Sequence, residues 1–180
     1  MKQWNVESSK IVLENPWLRV RENTYILPNG NKIPKYYIAE RADSAICVCV
    51  KGSDVLLVRQ YRPGIEKTTL CHPGGRIETS DSSALAGGLR ELLEETGYTP
   101  QTWDTLGVYG QIPAVSTAKV HILLVECVGD KKSTPTQDPS EDIEMEVVSI
   151  SALRNIIAQG DMDCVACVAA SYLALSRLRR

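Results

Sequence analysis

The chain has 180 residues, of which 43% are hydrophobic and 23% charged, and its formal net charge is −2. This balance is typical of one globular domain with a substantial core, and it excludes a protein that binds nucleic acid mainly through positive charge. The longest apolar stretches, such as VHILLVECV, are too short to span a membrane. With its polar beginning, MKQWNVESSK, the sequence predicts a cytoplasmic protein whose six cysteines are reduced thiols.

The first part of the chain predicts two β-hairpins. VRENTYIL and IPKYYIAE flank the turn PNGN, in which Asn-Gly favours a tight hairpin turn. SAICVCV and VLLVRQY flank the turn KGSD and have the continuous apolar character of buried strands. Because the first hairpin precedes this core, we divide the chain into an N-terminal β-strand segment, residues 1–42, and a main domain, residues 43–180.

The rest of the chain alternates helices and strands. RPGIEKTTLCHPGGRIETSD reads as a loop with at most a short strand, and it leads to a helix at about residues 83–96. We expect Asp81 or Ser82 to cap this helix and Gly97 to end it. Three strands, WDTLGVY, VHILLVECV and IEMEVVSI, precede two helices, SALRNIIAQG, capped by Ser151, and DMDCVACVAASYLALSRLRR. This order predicts an α/β fold with a mixed sheet sandwiched between helices.

Two cysteines in the last helix, Cys164 and Cys167, have the Cys-x-x-Cys spacing of redox and metal motifs. The sequence contains no second such pair to complete a zinc site, and the neighbouring residues form one apolar run. We therefore interpret these thiols as buried small hydrophobic residues. A thiol-redox protein is the less favoured alternative, because it needs an exposed cysteine of low pKa at a helix start.

The helix that contains RELLEETGY carries an unfavourable arrangement of charge. Glu91 and Glu95 lie one turn apart, with Glu94 beside them, near the negative end of the helix dipole. Gly87 and Gly88 lie in the same helix, where each costs about 1 kcal/mol relative to alanine. A solvated polar face is the simple explanation for the acids, but a sequence that breaks two local rules together often does so for function. Clustered carboxylates are ligands that Mg²⁺ takes together with substrate phosphates, so this helix predicts a metal site.

The spacing around this helix resembles the Nudix box, the pattern Gly-x5-Glu-x7-Arg-Glu-apolar-x-Glu-Glu-x-Gly-apolar. In GGRIETSDSSALAGGLRELLEETGY, Gly75 matches the first glycine, and the residues from Arg90 to Tyr98 match the second half. The stretch from Gly75 to Arg90 is one residue longer than the pattern. Asp81 takes the place of the first glutamate when counted from Gly75, and Ser82 takes it when counted from Arg90.

The similarity extends over roughly residues 44–175 to the ADP-ribose and nucleotide-sugar pyrophosphatase branch of the Nudix hydrolases. VLLVRQYRPGIEKTTLCHPGG and PSEDIEMEVVSISAL resemble that branch. Cys71, where the branch usually has glutamate, and the loop PAVSTAK, which lacks the branch's glutamate, depart from it. The resemblance implies the Nudix fold with an N-terminal β-hairpin subdomain.

The activity that the resemblance implies is Mg²⁺-dependent hydrolysis, for which Mn²⁺ can substitute, of a nucleoside diphosphate sugar. The products are a nucleoside monophosphate and a sugar phosphate. ADP-ribose is the first choice of substrate, and GDP-mannose and ADP-glucose are alternatives. A non-catalytic nucleotide-sugar sensor on the same fold is a further alternative, although such a sensor is expected to lose metal ligands that this chain retains.

The resemblance also implies roles for individual residues. Glu91 and Glu95 are the first metal ligands, Glu94 is the third, and the backbone carbonyl of Gly74 is a further ligand. Arg90 is expected to hold the catalytic cluster in shape through a hydrogen bond to Glu94. A general base is expected before the last strand, where Glu141 matches best and Asp142 and Glu144 are alternatives. The candidates for binding phosphate are the side chains of Arg59, Arg62 and Arg76, since the planar guanidinium suits phosphate oxygens.

The N-terminal segment predicts a homodimer. Its strands cannot bury both faces alone, and in the resembling branch such a segment packs across a twofold dimer. We expect Trp17, Tyr36 or Tyr37 near the dimer interface or the base of the nucleotide. Neither a nucleic acid nor a membrane is an expected partner.

Overall fold

The computed structural model describes residues 2–129, 131, 133–136 and 142–178. The chain divides into two compact units, the first formed by residues 1–43 and 110–119 and the second by residues 44–109 and 120–180. The described part of the chain contains no helix that is long and apolar enough to cross a membrane. In chain order, the elements are β1 (Asn5–Glu14), β2 (Arg19–Ile26), β3 (Lys32–Glu40), β4 (Ser44–Lys51), β5 (Asp54–Arg62), β6 (Lys67–Cys71), α1 (Ala84–Thr96), β7 (Pro100–Gly110), β8 (Lys119–Cys127), β9 (Ile143–Ser149), α2 (Ile150–Gln159) and α3 (Val165–Leu178).

The first unit is built on an antiparallel sheet in the order β1-β2-β3. The predicted hairpin between β2 and β3 is confirmed: Leu27 N–H donates to the Asn31 carbonyl at 2.8 Å, and Gly30 takes the positive φ of 85° that this tight turn requires. Strand β1, which the sequence analysis did not separate, pairs with β2 and is exposed at all its residues.

The second unit contains a mixed sheet in the order β6-β5-β4-β8-β7, with β9 paired to β5. Strands β4 and β8 are parallel, whereas β5 pairs antiparallel with β4, β6 and β9. The side chains of β4 alternate between two cores, because successive residues of a strand face opposite sides of a sheet. Ile46 and Val48 join the core beneath α2 and α3, and Cys47 and Cys49 join the core beneath α1. The predicted sheet sandwiched between helices is thereby confirmed.

Helix α1 occupies the predicted range, but its cap was predicted wrongly. Ser83, rather than Asp81 or Ser82, takes the extended N-cap conformation and accepts a hydrogen bond from Ala86 N–H at 3.1 Å. Gly97 ends the helix with φ 74°, as predicted. Asp81 lies two residues before this cap and instead accepts hydrogen bonds from Arg90.

Helices α2 and α3 also begin at other residues than the sequence analysis suggested. Ser149, not Ser151, caps α2, since its hydroxyl accepts from Ala152 N–H at 3.1 Å. Helix α3 begins only at Val165, because the segment before it is bonded to β6: the Asp161 carbonyl accepts from Leu70 N–H at 2.9 Å.

Candidate active site

The Gly74-Gly75 segment lies between β4 and α1. The Gly75 carbonyl accepts a hydrogen bond from Ala45 N–H of β4 at 2.9 Å. Gly74 takes φ 146°, and a Cβ atom at this position would overlap the Ala45 carbonyl. On the other side, Gly74 N–H donates to Glu95 Oε2 at 2.9 Å. The backbone of this segment therefore connects the centre of the sheet to a carboxylate of α1.

Two of the box glutamates converge on this segment. Glu95 is buried, with 4% exposure, so the solvated-face explanation for the acids is wrong at this residue. The side chain of Glu91 is 13% exposed, and its carboxylate lies so close to Gly75 that an added Cβ atom would stand 2.6 Å from Oε2. The absence of a side chain at Gly75 thus makes room for the Glu91 carboxylate.

Arg90 is the centre of the cluster. Its Nη1 donates to Glu94 Oε2 at 2.8 Å and to Glu91 Oε1 at 3.0 Å. Its Nε and Nη2 donate to the two carboxylate oxygens of Asp81, each at 3.1 Å. The hydrogen bonds that Arg90 donates to Asp81 foremost, and the charge of Glu91, raise the pKa of Arg90, which therefore stays charged. This guanidinium offsets the repulsion among the carboxylates, and the predicted Arg90–Glu94 hydrogen bond is present.

Asp81 is a residue of the site whose contact the sequence analysis did not foresee. Its side chain is 7% exposed, and besides Arg90 it accepts from Glu78 N–H at 2.8 Å. The hydrogen bonds from Arg90 and then from Glu78 lower the pKa of Asp81. An added Cβ atom at Gly87 would stand 2.7 Å from Asp81 Oδ2, so Gly87 leaves space for this carboxylate. The sequence did contain an indication of this residue, because counting along the Nudix pattern from Gly75 places an acidic residue at position 81.

The second glycine of α1 serves packing. An added Cβ atom at Gly88 would stand 2.9 Å from Leu123 Cδ1 and 3.0 Å from Ala45 Cβ. The helix therefore lies close against β4 and β8, which brings its carboxylates to the Gly74-Gly75 segment.

The donor set of the cluster suits a hard divalent cation, because it consists of carboxylate and carbonyl oxygens. The carboxylate oxygens of Glu91, Glu94 and Glu95 do not all lie within 4.8 Å of one another. Arg90 donates to Glu91 and Glu94, and Gly74 N–H donates to Glu95. Across the described part of the chain, the only three or more His, Cys, Asp and Glu ligand atoms within 4.8 Å of one another belong to Cys71, Cys164 and Cys167. The acidic site and the thiol cluster are thus chemically distinct.

The three arginines predicted to bind phosphate differ in their surroundings. Arg59 donates from Nη2 and Nε to Glu146 Oε2 on the neighbouring strand β9, at 2.7 and 3.1 Å. Arg62 ends β5 and is half-buried. Arg76 is exposed, directly follows Gly75, and its carbonyl accepts from Arg90 Nη2 at 3.1 Å. Of these three arginines, Arg76 is the one whose backbone is hydrogen-bonded to Arg90 of the acidic cluster.

Glu141, the predicted general base, lies outside the described residues. Before it in the chain, Thr136 N–H donates to the Glu94 carbonyl at 2.9 Å. After it, the alternatives Asp142 and Glu144 are exposed, and Glu144 pairs in register with Arg59. The described chain on one side of position 141 is thus bonded to the acidic helix, and on the other side it pairs with β5.

His72, two residues before Gly74 in the chain, contacts α3 and is not part of the acidic site. His72 is buried, with Nε2 2.7 Å from Ser171 Oγ of α3. Burial lowers the pKa of His72 to about 4, so the imidazole is neutral at pH 7.

Two family models match the chain. The model described as the NUDIX domain matches residues 40–165, and the model described as the nucleoside diphosphate sugar hydrolase N-terminal domain matches residues 4–39. The first match confirms the resemblance seen in the sequence.

Characterised proteins are similar over most of the chain. An ADP-ribose pyrophosphatase of Bacillus subtilis is 27% identical over 150 residues, which cover 83% of this chain and 80% of that protein. An ADP-sugar pyrophosphatase of Mus musculus is 29% identical, with coverage of 81% and 72%. A methanol dehydrogenase activator of Bacillus methanolicus is 25% identical, with coverage of 83% and 80%. The crystal structure of an ADP compounds hydrolase superposes with a TM-score of 0.85 over 99% of this chain and 96% of that one, at 17% identity, and supports the fold.

Proposed function

The chain belongs to the NUDIX family, and from that premise we propose that it hydrolyses the diphosphate bond of a nucleoside diphosphate sugar. ADP-ribose is the first choice of substrate, and the products are AMP and ribose 5-phosphate. The observation that carries the proposal is the convergence of Glu91 and Glu95 on the Gly74-Gly75 segment, with Arg90 bonded to the acids around it.

In this proposal Glu91 and Glu95 are the principal metal ligands, and Glu94 and the Gly74 carbonyl complete the set. The metal is Mg²⁺, for which Mn²⁺ can substitute. When bound, a divalent ion neutralises phosphate charge and lowers the pKa of an attacking water. The glycine at position 75 supports this assignment, because it leaves the Glu91 carboxylate beside the backbone.

Arg90 and Asp81 act as positioning residues. The two-oxygen pairing of Asp81 with Arg90 fixes the guanidinium, and its Nη1 then fixes Glu91 and Glu94. Arg90 thereby holds the Glu91 and Glu94 carboxylates in place for a cation.

We assign the general base to Glu141, with Asp142 and Glu144 as alternatives. A base must reach the water that attacks phosphorus. The support for Glu141 is the hydrogen bond between Thr136 and Glu94, which holds the preceding chain at the acidic helix.

The phosphate-binding arginines in the proposal are Arg76, Arg62 and Arg59. Arg76 is exposed beside Gly75, so its guanidinium can donate to a phosphate next to the carboxylates. Arg59 already donates to Glu146, so binding of phosphate there requires Nη1 or an exchange of this partner.

The support for a diphosphate sugar, rather than a nucleoside triphosphate, is the N-terminal unit. Residues 4–39 match the N-terminal domain of nucleoside diphosphate sugar hydrolases, and two of the similar proteins act, by their names, on ADP-ribose and ADP-sugars. Cys71 and the PAVSTAK loop depart from the ADP-ribose pattern, so GDP-mannose and ADP-glucose are retained as alternative substrates.

We also propose a homodimer in which β1 lies at the interface. This strand is exposed along its whole length, and Val6, Ile11 and Leu13 are 55%, 51% and 45% exposed. Trp17, at 72% exposure, follows the strand. Exposed apolar side chains in such a row are typical of an association surface.

A panel assay tests the substrate proposal. Nucleoside diphosphate sugars and nucleoside triphosphates are incubated with the protein and Mg²⁺, and release of monophosphate is compared at equal concentration. The proposal expects ADP-ribose to be cleaved fastest. A panel in which only triphosphates react would reject it, and a panel in which no compound reacts would favour the non-catalytic sensor.

A further inference from the structure

Three thiols from separate parts of the chain form a compact cluster in the second unit. The Sγ atoms of Cys71, at the end of β6, and of Cys164 and Cys167, at the start of α3, all lie within 4.8 Å of one another. Cys71 and Cys167 are 1% and 3% exposed, whereas Cys164 is half-buried. Solvent therefore has access to one member of the cluster.

The segment that carries Cys164 is fixed to β6 by backbone and side-chain hydrogen bonds. Thr69 Oγ1 donates to the Asp161 carbonyl at 2.9 Å and accepts from Asp163 N–H at 2.7 Å. Lys67 Nζ also lies 3.3 Å from Asp163 Oδ2. These contacts hold the start of α3 against the end of β6, so the cluster is a built feature of the fold.

The surroundings of Cys164 stabilise its thiolate. The thiols of Cys167 and Cys71, and the backbone N–H groups of Cys167 and Ala166, donate to its sulfur and lower the pKa of Cys164. The same contact raises the pKa of Cys167 and of Cys71, so the protons reside on these two thiols. A thiolate with partial exposure at a helix N-terminus is the nucleophilic form of cysteine. The interpretation of CVAC as buried hydrophobic residues holds for Cys167, which belongs to the core, whereas Cys164 packs against the core but is only half-buried.

We propose that Cys164 and Cys167 form a reversible disulfide when the protein encounters hydrogen peroxide, with Cys164 as the nucleophile and Cys71 as a positioning thiol. The Cys164 sulfur attacks one peroxide oxygen, the O–O bond breaks, and the departing hydroxide takes a proton to leave as water. The resulting sulfenic acid is attacked by the Cys167 sulfur, which loses its proton. The S–O bond breaks and a second water leaves. The two thiols supply two electrons, and a dithiol reductant restores them.

A disulfide fits the cluster better than a resident zinc ion does. Structural zinc sites are four-coordinate, whereas three ligand atoms lie together among the described residues. Cys164 and Cys167 are three residues apart at the start of α3, with their sulfurs within 4.8 Å, which suits a disulfide between them. A disulfide also introduces no charge into a region that is largely buried. Reversible disulfides of this kind are the form found in reducing compartments.

The test uses the full chain, reduced and freed of metal by EDTA, and then treated with one equivalent of hydrogen peroxide. Remaining thiols are alkylated under denaturing conditions, and peptides are identified by mass spectrometry. We expect a peptide linked through Cys164 and Cys167 that disappears after treatment with dithiothreitol. Cys47, which is fully buried and whose pKa is raised to about 12 by burial, serves as the internal control and should stay reduced.

A variant separates the proposed nucleophile from general oxidation. Cys164→Ser should lower the rate of peroxide-dependent thiol loss by about tenfold or more, because each of the remaining thiols is at most 3% exposed. Cys49→Ala should leave this rate unchanged. A bridge between Cys71 and Cys164, a sulfinic acid at Cys164 without a bridge, or one equivalent of zinc held by the thiols of the protein as purified would each overturn the proposal.

Discussion

Gly75→Ala is the substitution that should separate function from stability most clearly. The added Cβ atom would stand 2.6 Å from Glu91 Oε2, and ordinary contact begins at 3.4 Å, so the carboxylate must move by about 0.8 Å. The displaced group is the far end of a flexible side chain, and Gly75 has no positive φ that an alanine would strain. The free energy of unfolding should therefore change by less than about 1 kcal/mol.

Activity should respond much more strongly than stability. A misplacement of about 1 Å near the reacting groups can cost on the order of 100-fold in rate. We therefore expect Gly75→Ala to lower kcat/KM for the preferred nucleotide sugar by about 10- to 100-fold and to raise the Mg²⁺ concentration needed for half-maximal rate.

Gly64→Ala is the matched control, since an added Cβ atom there has no neighbour within 4 Å and its φ is not positive. Initial rates across a Mg²⁺ series and thermal unfolding followed by circular dichroism are measured for both variants and the wild type. If Gly75→Ala retains the activity and the Mg²⁺ dependence of Gly64→Ala, the Glu91 carboxylate is not a metal ligand and the assignment of the site fails.

Three further predictions concern the metal, the buried histidine and the assembly. EDTA should abolish turnover, and Glu95→Gln should reduce it by about 100-fold or more with the fold retained, as circular dichroism would show; full activity of this variant would remove α1 as the catalytic centre. Burial lowers the pKa of His72 to about 4 in the folded protein, whereas its ordinary pKa is 6.5. Between pH 6.5 and pH 4 the imidazole is therefore protonated in the unfolded chain but not in the folded protein, so the free energy of unfolding falls as the pH is lowered through this range. Urea titrations at pH 7 and pH 4 should therefore show a loss of about 3 kcal/mol that is absent in His72→Gln, and an equal loss in both proteins would contradict the burial argument. Light scattering at micromolar concentration should give a dimer for the wild type and a monomer for Ile11→Lys, whereas a monomeric wild type would reject the proposed interface.

The local features of the acidic helix could be predicted from the sequence because they depend on neighbours along the chain. Its range, its end at Gly97 and the hydrogen bond between Arg90 and Glu94 follow from helical spacing. The N-cap was wrong because three successive small polar residues, Asp81 to Ser83, offer nearly equal caps, and the pairing of Asp81 with Arg90 is a contact that the sequence does not specify.

The remaining features depend on contacts between distant parts of the chain. Helical periodicity places Glu95 with the other acids, but its burial follows from the Gly74 backbone, which the sheet brings to α1. The thiol cluster likewise requires β6 to meet the start of α3. The Arg59–Glu146 pair requires the register of β5 and β9, which the sequence pattern does not specify.

Analysis of the reaction products tests the central proposal most directly. The protein is incubated with ADP-ribose and Mg²⁺, and the products are separated by ion-exchange chromatography, with Gly75→Ala and an EDTA-treated sample beside it. We predict equal amounts of AMP and ribose 5-phosphate from the wild type and much less from the other two samples. Release of pyrophosphate from a nucleoside triphosphate, together with no cleavage of ADP-ribose or any other diphosphate sugar, would contradict the account.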